Sequence, residues 1–309
     1  MTPRLLSLTL LLTLSLLVTP NKAAAELPPK RFEIVQYGPH KRQRFYIWHA
    51  GHYAKPHDET PRPVLVYFFG GGFVFGSPGG GPFRGDMLKN GVTVVAGGYR
   101  FRQDGATKRE ILEDGARIIQ YLRLNARRLN VDRSRIGVAG YSSGGVVAGW
   151  VALHGDLRDA DNPDPLLRQS SRVSVCCLDA AQVHPVDLDS WERYTGSPLT
   201  LLRQGIYNFI LLRLYGEGFV QPFERDDFMT AAAYEAALWD YQQDVFIFYQ
   251  ASRDDPPVCF YCNQPDDPDR YARRGNGGGL HSPLLMIPLE RRLQELGVPV
   301  FWGRKKDCR

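Results

Sequence analysis

Short unbroken apolar runs recur along the chain, separated by stretches with helical spacing. That is the pattern of strands buried on both faces with helices laid against them. Val64-Leu65-Val66-Tyr67-Phe68-Phe69 is the first such run and Gly91-Val92-Thr93-Val94-Val95-Ala96 the second. After it, Ile111, Leu112, Ala116, Ile119, Leu122 and Ala126 recur at helical intervals, which predicts an amphipathic helix over 107–129. Ile136 to Ala139 predicts the next strand, and Val146 to Leu153 an apolar helix. Val173 to Asp179, Pro257 to Cys262 and Val298 to Trp302 predict three more strands, and Pro288 to Leu296 a helix ended by Gly297. Strand and helix alternating in this way imply an α/β domain with a mostly parallel sheet and helices on both faces. Ahead of it, 31–36 and 42–48 predict a hairpin joined at Tyr37-Gly38-Pro39.

Two segments break the pattern. In residues 1–25, Arg4 precedes an apolar run from Leu5 to Val18, and Ala23-Ala24-Ala25 supplies a small-residue cleavage site, so the segment reads as a secretory signal peptide. The run is shorter than the roughly 20 residues of a membrane span. Its removal leaves no stable membrane anchor, and a secreted or periplasmic location is expected. The second segment, about 184–240, is a long insertion read as a helical cap, with an apolar stretch from Leu199 to Tyr215 and an Ala-rich helix from Met229 to Tyr241. Its aromatics Trp191, Tyr194, Tyr207, Phe209 and Trp239 either pack the insertion itself or line a pocket.

Composition changes this picture little. An apolar share of 43% with 23% charged residues suits a globular core. A formal net charge of +5, or +3 without residues 1–25, is too mild to point to nucleic acid, and the basic pairs Lys41-Arg42, Arg127-Arg128 and Arg273-Arg274 are scattered. Of the five cysteines, Cys259 and Cys262 lie in one strand, where residues three apart stand about 10 Å from each other and face opposite ways. A redox CxxC is therefore not expected, although a bond between the Cys176-Cys177 strand and the Cys259 strand stays open, with Cys308 left over.

The chemistry concentrates at Gly140-Tyr141-Ser142-Ser143-Gly144-Gly145, a Gly-x-Ser-x-Gly turn between a predicted strand and a predicted helix. In that context Ser142 reads as a nucleophile on a sharp turn, with a helix N-terminus beyond it to favour developing negative charge. A second glycine-rich turn, Gly70-Gly71-Gly72-Phe73, follows the first buried strand. It has no Lys-Ser/Thr at phosphate-loop spacing, but its backbone N–H groups suit an oxyanion. No cofactor is implied. His49, His52 and His57 are the nearest approach to a metal cluster, and they lack ligand spacing.

Phe69-Gly70-Gly71-Gly72-Phe73, Tyr99-Arg100, Asp132 with Arg135-Ile136, and the Ser142 turn together resemble the α/β-hydrolase fold, from about residue 32 to the end. The branch they are most similar to is the esterase group with a His-Gly-Gly-Gly oxyanion loop, which includes hormone-sensitive-lipase-like and feruloyl-esterase-like proteins. The resemblance implies an eight-stranded sheet, Ser-Asp-His acyl chemistry, and oxyanion donors at the N–H groups of Gly71, Gly72 and Ser143. It implies an ester substrate, small or linked to polysaccharide. Phe69 stands where the family has histidine.

By the same resemblance Asp266, in the loop after the Cys259 strand, takes the place of the acid, with Asp187 and Asp189 as the fallback. The family histidine follows the last strand, yet 303–309 contain none. His281 is the one histidine after Asp266 and the candidate base, in a segment similar to one found in exported feruloyl-esterase-like hydrolases. Three outcomes stay open at this point: an active esterase, a degenerate member that binds without efficient turnover, and a chain whose histidine lies in a continuation beyond Arg309.

Overall fold

The computed structural model describes residues 32–52, 60–183, 230–262, 281 and 283–303. Residues 1–31, most of the expected insertion, and the loop that carries Asp266 lie outside the described residues, as do Asp187, Asp189, His57, His184 and Cys308. The elements run β1 (Glu33–Gln36), β2 (Arg44–Trp48), β3 (Arg62–Phe68), α1 (Arg84–Lys89), β4 (Thr93–Gly97) and α2 (Lys108–Leu124). They continue with β5 (Val131–Tyr141), α3 (Ser143–Leu153), β6 (Val175–Asp179), α4 (Ala231–Val245) and α5 (Ile247–Gln250). β7 (Val258–Tyr261), α6 (Ile287–Leu296) and β8 (Val300–Gly303) close the series.

The eight strands among the described residues join one sheet in the order β1-β2-β4-β3-β5-β6-β7-β8. β1 and β2 form the expected antiparallel hairpin and β2 pairs antiparallel with β4, while every pairing from β4 through β8 is parallel. Parallel neighbours need crossovers, and α2 and α3 supply two of them on the face where Val64, Val66, Phe68, Ile136, Val138, Cys176, Leu178, Val258 and Phe260 are buried. The other face of the strands from β3 to β8 is covered less completely. Leu65, Tyr67, Cys177 and Cys259 are half-buried there, and Val175 and Phe301 are exposed. The apolar run of β3 is thus buried on alternate residues rather than throughout, whereas β4, one strand away, is buried at all five positions.

α2 begins where the sequence predicts, because Thr107 and Glu110 cap each other: Glu110 N–H donates to Thr107 Oγ1 and Thr107 N–H to Glu110 Oε2. It ends at Leu124 rather than 129. Asn125 turns its side-chain amide back onto the Tyr121 carbonyl at 3.0 Å, and Asn130 adopts φ 48°, so the chain leaves the helix before the last apolar position. α4 extends the expected Ala-rich helix to Val245, and its end docks on α2 and α3. The Trp150 indole N–H donates to the Asp244 carbonyl at 2.7 Å, Arg109 pairs with the Asp244 carboxylate, and His154 Nε2 lies 3.4 Å from it.

Candidate active site

β5 and α3 meet at Ser142, whose backbone sits at φ 52° and ψ −124°. A side-chain-bearing residue held there costs about 1–3 kcal/mol, so the surroundings must fix it. Three contacts do so. The Ser142 N–H donates to the carbonyl of Asp179 at the end of β6, 2.9 Å away, and the Ser142 carbonyl accepts from Val146 N–H at 3.1 Å. The third is steric: α3 starts so close to β3 that a Cβ on Gly144 would lie 2.2 Å from the Phe68 carbonyl oxygen. Only glycine lets helix and strand approach this closely. Every residue of α3 is buried, which anchors the turn to the core.

His281 brings its Nε2 to 3.0 Å from Ser142 Oγ. The ring stacks on Tyr141 with centroids 5.2 Å apart and planes 20° from parallel, and its backbone carbonyl takes a weak bond from the Cys262 thiol at 3.8 Å. Burial lowers the imidazole pKa from its ordinary value by disfavouring the charged ring. The histidine therefore arrives from the connection between β7 and α6, not from beyond β8. β7 is two strands from β5, a lateral distance of about 10 Å, which the connection from β7 to His281 is long enough to cross. Asp266 lies outside the described residues, and among the described residues no carboxylate bonds to His281 Nδ1.

The Gly70-Gly71-Gly72 loop passes beside the serine, since a Cβ on Gly70 would stand 3.2 Å from Ser142 Cβ. Gly71 has φ 134°, and its carbonyl accepts from the N–H groups of Val74 and Phe75, both at 3.1 Å, closing a tight turn. Neither the Gly71 nor the Gly72 N–H has an acceptor among the described residues, and Ser143 N–H, at the first position of α3, precedes the helical ladder. The three donors named by the sequence are thus backbone groups without partners among the described residues, around a strained serine.

Phe69 replaces the loop histidine with a packing arrangement. Its ring lies parallel to Tyr99 at 4.6 Å and edge-on to Phe101 at 6.1 Å, and the Tyr99 hydroxyl donates to the Phe69 carbonyl at 2.5 Å. Tyr99 is held in turn by its neighbour. Arg100 places its N–H, Nε and a terminal nitrogen on the carboxylate of buried Asp114, all at 2.9 Å, while Gln43 adds a bond to Asp114 at 2.8 Å. The Tyr99-Arg100 pair seen in the sequence is therefore the strut that ties the glycine loop to α2.

One group was not anticipated as part of this region. Asp179 ends β6 as a residue only 8% exposed, close to the rings of Tyr67 and Tyr141, and burial pushes its pKa up to about 7. A charge-bearing residue closing an apolar parallel strand at the sheet's carboxyl edge was the signal that could have drawn attention to it. Among the described residues no group of three His, Cys, Asp or Glu side chains is arranged to hold a metal.

Comparison with known proteins agrees with this architecture. The model of the BD-FAE family matches residues 52–198, just under half of the chain. Esterase LipI of Mycobacterium tuberculosis is 32% identical over 108 residues, 34% of this chain and 33% of that protein. The AB hydrolase superfamily protein C1039.03 of Schizosaccharomyces pombe is 30% identical over 150 residues, 47% of this chain and 42% of that protein. The chain thus spans about a third to two-fifths of the length of these curated relatives. Among solved structures, the acetyl ester-xyloside bifunctional hydrolase of Caldicellulosiruptor lactoaceticus superimposes with a TM-score of 0.61 at 18% identity, over 88% of this chain and 86% of that one. With the eight-stranded order, the strand–serine–helix turn and these matches together, the chain has the α/β-hydrolase fold, and the proteins it is similar to are named as esterases and hydrolases.

Proposed function

We propose that this chain hydrolyses carboxylic esters by acyl transfer through Ser142. The observation that carries the reading is the 3.0 Å approach of His281 Nε2 to Ser142 Oγ at a backbone conformation strained to present the serine. In this mechanism Ser142 Oγ attacks the acyl carbonyl as His281 takes its proton, and the oxyanion is received by the N–H groups of Gly71, Gly72 and Ser143. Collapse expels the alcohol, which takes the proton back from His281. Water, activated by the same imidazole, then frees the acid. Asp266 is the carboxylate assigned to Nδ1, where it would fix the tautomer and stabilise the imidazolium. The substrate class is acyl or feruloyl esters, including those on polysaccharide, met outside the cytoplasm after removal of residues 1–25.

The test is fluorophosphonate labelling together with hydrolysis of p-nitrophenyl acetate. Label is expected on Ser142, and Ser142→Ala and His281→Ala are each expected to lower turnover at least about a thousandfold. A folded protein that neither labels nor hydrolyses would overturn the proposal. A second reading, a binding protein with residual turnover, is motivated by Phe69 at the head of the oxyanion loop where the related esterases carry histidine. In that case a non-hydrolysable ester analogue raises the melting temperature while product formation stays at the level of the His281→Ala variant.

A further inference from the structure

We propose that Cys177 and Cys259 form a reversible disulfide between β6 and β7. The two residues are register partners on adjacent parallel strands and so project from the same face of the sheet. Both are free and half-buried, on the incompletely covered face. Cys176 and Cys262 are buried, and each sits an odd number of positions away along its strand, on the opposite side.

Neighbouring strands stand about 4.8 Å apart, inside the roughly 4.4–6.8 Å that a disulfide needs between Cα atoms. The Cys259 Sγ lies 3.8 Å from the Phe260 carbonyl oxygen. Its interaction with the Cys177 thiol and the Gly303 N–H favours the thiolate at Cys259, with a pKa lowered to about 7. The neighbouring Cys259 sulfur and then burial push Cys177 up, so Cys259 is the attacking group.

The oxidant is a small-molecule disulfide such as oxidised glutathione. Cys259 thiolate attacks one of its sulfurs and expels a glutathione thiolate, leaving a mixed disulfide. Cys177 then gives up its proton and attacks the Cys259 sulfur, expelling the second glutathione. Two protein thiols are oxidised, and one disulfide is reduced to two thiols.

A parallel ladder keeps paired Cβ atoms at about the strand spacing, wider than the roughly 3.8 Å of a relaxed disulfide. The bond is therefore strained and easily reduced. Its position matters because Asp179, two residues beyond Cys177, holds the Ser142 N–H through its carbonyl.

The test uses the folded chain with Cys308→Ser, so that the remaining four thiols are those in β6, β7 and their ends. It is treated with oxidised glutathione, quenched with acid and mapped by mass spectrometry. A peptide pair joined through Cys177 and Cys259, lighter by two hydrogens and restored by dithiothreitol, is expected. Cys176→Ser and Cys262→Ser should leave the linkage intact, while Cys177→Ser should stop the reaction at a glutathione adduct on Cys259. Three results would overturn the proposal: a lasting adduct on Cys259 in the chain that retains Cys177, linkage through Cys176 or Cys262, or four unreacted thiols.

Discussion

Replacing Asp179 with asparagine should stabilise the protein, and by an amount that depends on pH. The residue is 8% exposed and burial raises the carboxyl pKa from 3.8 to about 7. The folded state thus favours the protonated form. Below pH 4 the side chain is neutral folded or unfolded, and the two states bind the same number of protons. As pH rises from about 4 to 7 the unfolded chain releases this proton and the folded chain keeps it, so stability is lost across that window and the loss levels off above 7. The full displacement corresponds to about 4 kcal/mol. The amide of the Asp179→Asn variant carries no charge at any pH and should avoid that loss. Thermal unfolding followed by circular dichroism at pH 4 and pH 8 measures it: near-equal melting temperatures at pH 4, and the Asp179→Asn chain higher by about 10 °C at pH 8. A difference that stays constant with pH, or a variant that melts lower at pH 8, would refute the assignment of a buried, neutral carboxyl.

Three further changes probe the site and its supports. In the proposed mechanism His281 works only when neutral, and burial lowers its pKa, so the acid limb of kcat/KM should have its midpoint below the ordinary 6.5. A midpoint above 6.5 would mean that a carboxylate at Nδ1 outweighs burial, and Asp266→Asn would then lower it. Gly144→Ala places a methyl 2.2 Å from the Phe68 carbonyl oxygen and should destabilise the fold by at least about 2 kcal/mol, read by urea unfolding. Asp114→Ala strips the buried carboxylate from half-buried Arg100, leaving it only the more exposed Glu110, and should cost about 3 kcal/mol, with kcat falling as Tyr99 loses its strut. Unchanged stability would mean that the ion pair contributes nothing net.

The sheet was legible because its central strands are short apolar runs and its helices carry one apolar face, so period alone separates them. All eight strands lie within two or three residues of their expected ends, apart from β5, which starts five residues early because Val131 already pairs with Arg62. The turn at Ser142 was legible for a different reason, since close approach leaves glycine as the only option at Gly144 and that constraint is written locally. His281 was harder to read. Its distance from Ser142 is 139 residues in sequence but two strands in space, and only the strand order makes that plain. Asp179 was invisible as a titrating group, because its pKa comes from burial at the sheet edge and from no neighbour in sequence. The role of Phe69 was equally hidden, since it depends on rings contributed from 99 and 101 after the next strand.

That aromatic arrangement has a consequence for how the site would respond to acidification. A loop rooted in Phe69, Tyr99 and Phe101 contains no group that gains a proton between pH 4 and 8, where an imidazole at the same place would. Acid would switch off the His281 base while the oxyanion donors keep their aim. Inactivation of this kind is instantaneous and fully reversed by neutralisation, with no slow recovery phase of the sort that rebuilding a collapsed loop would impose.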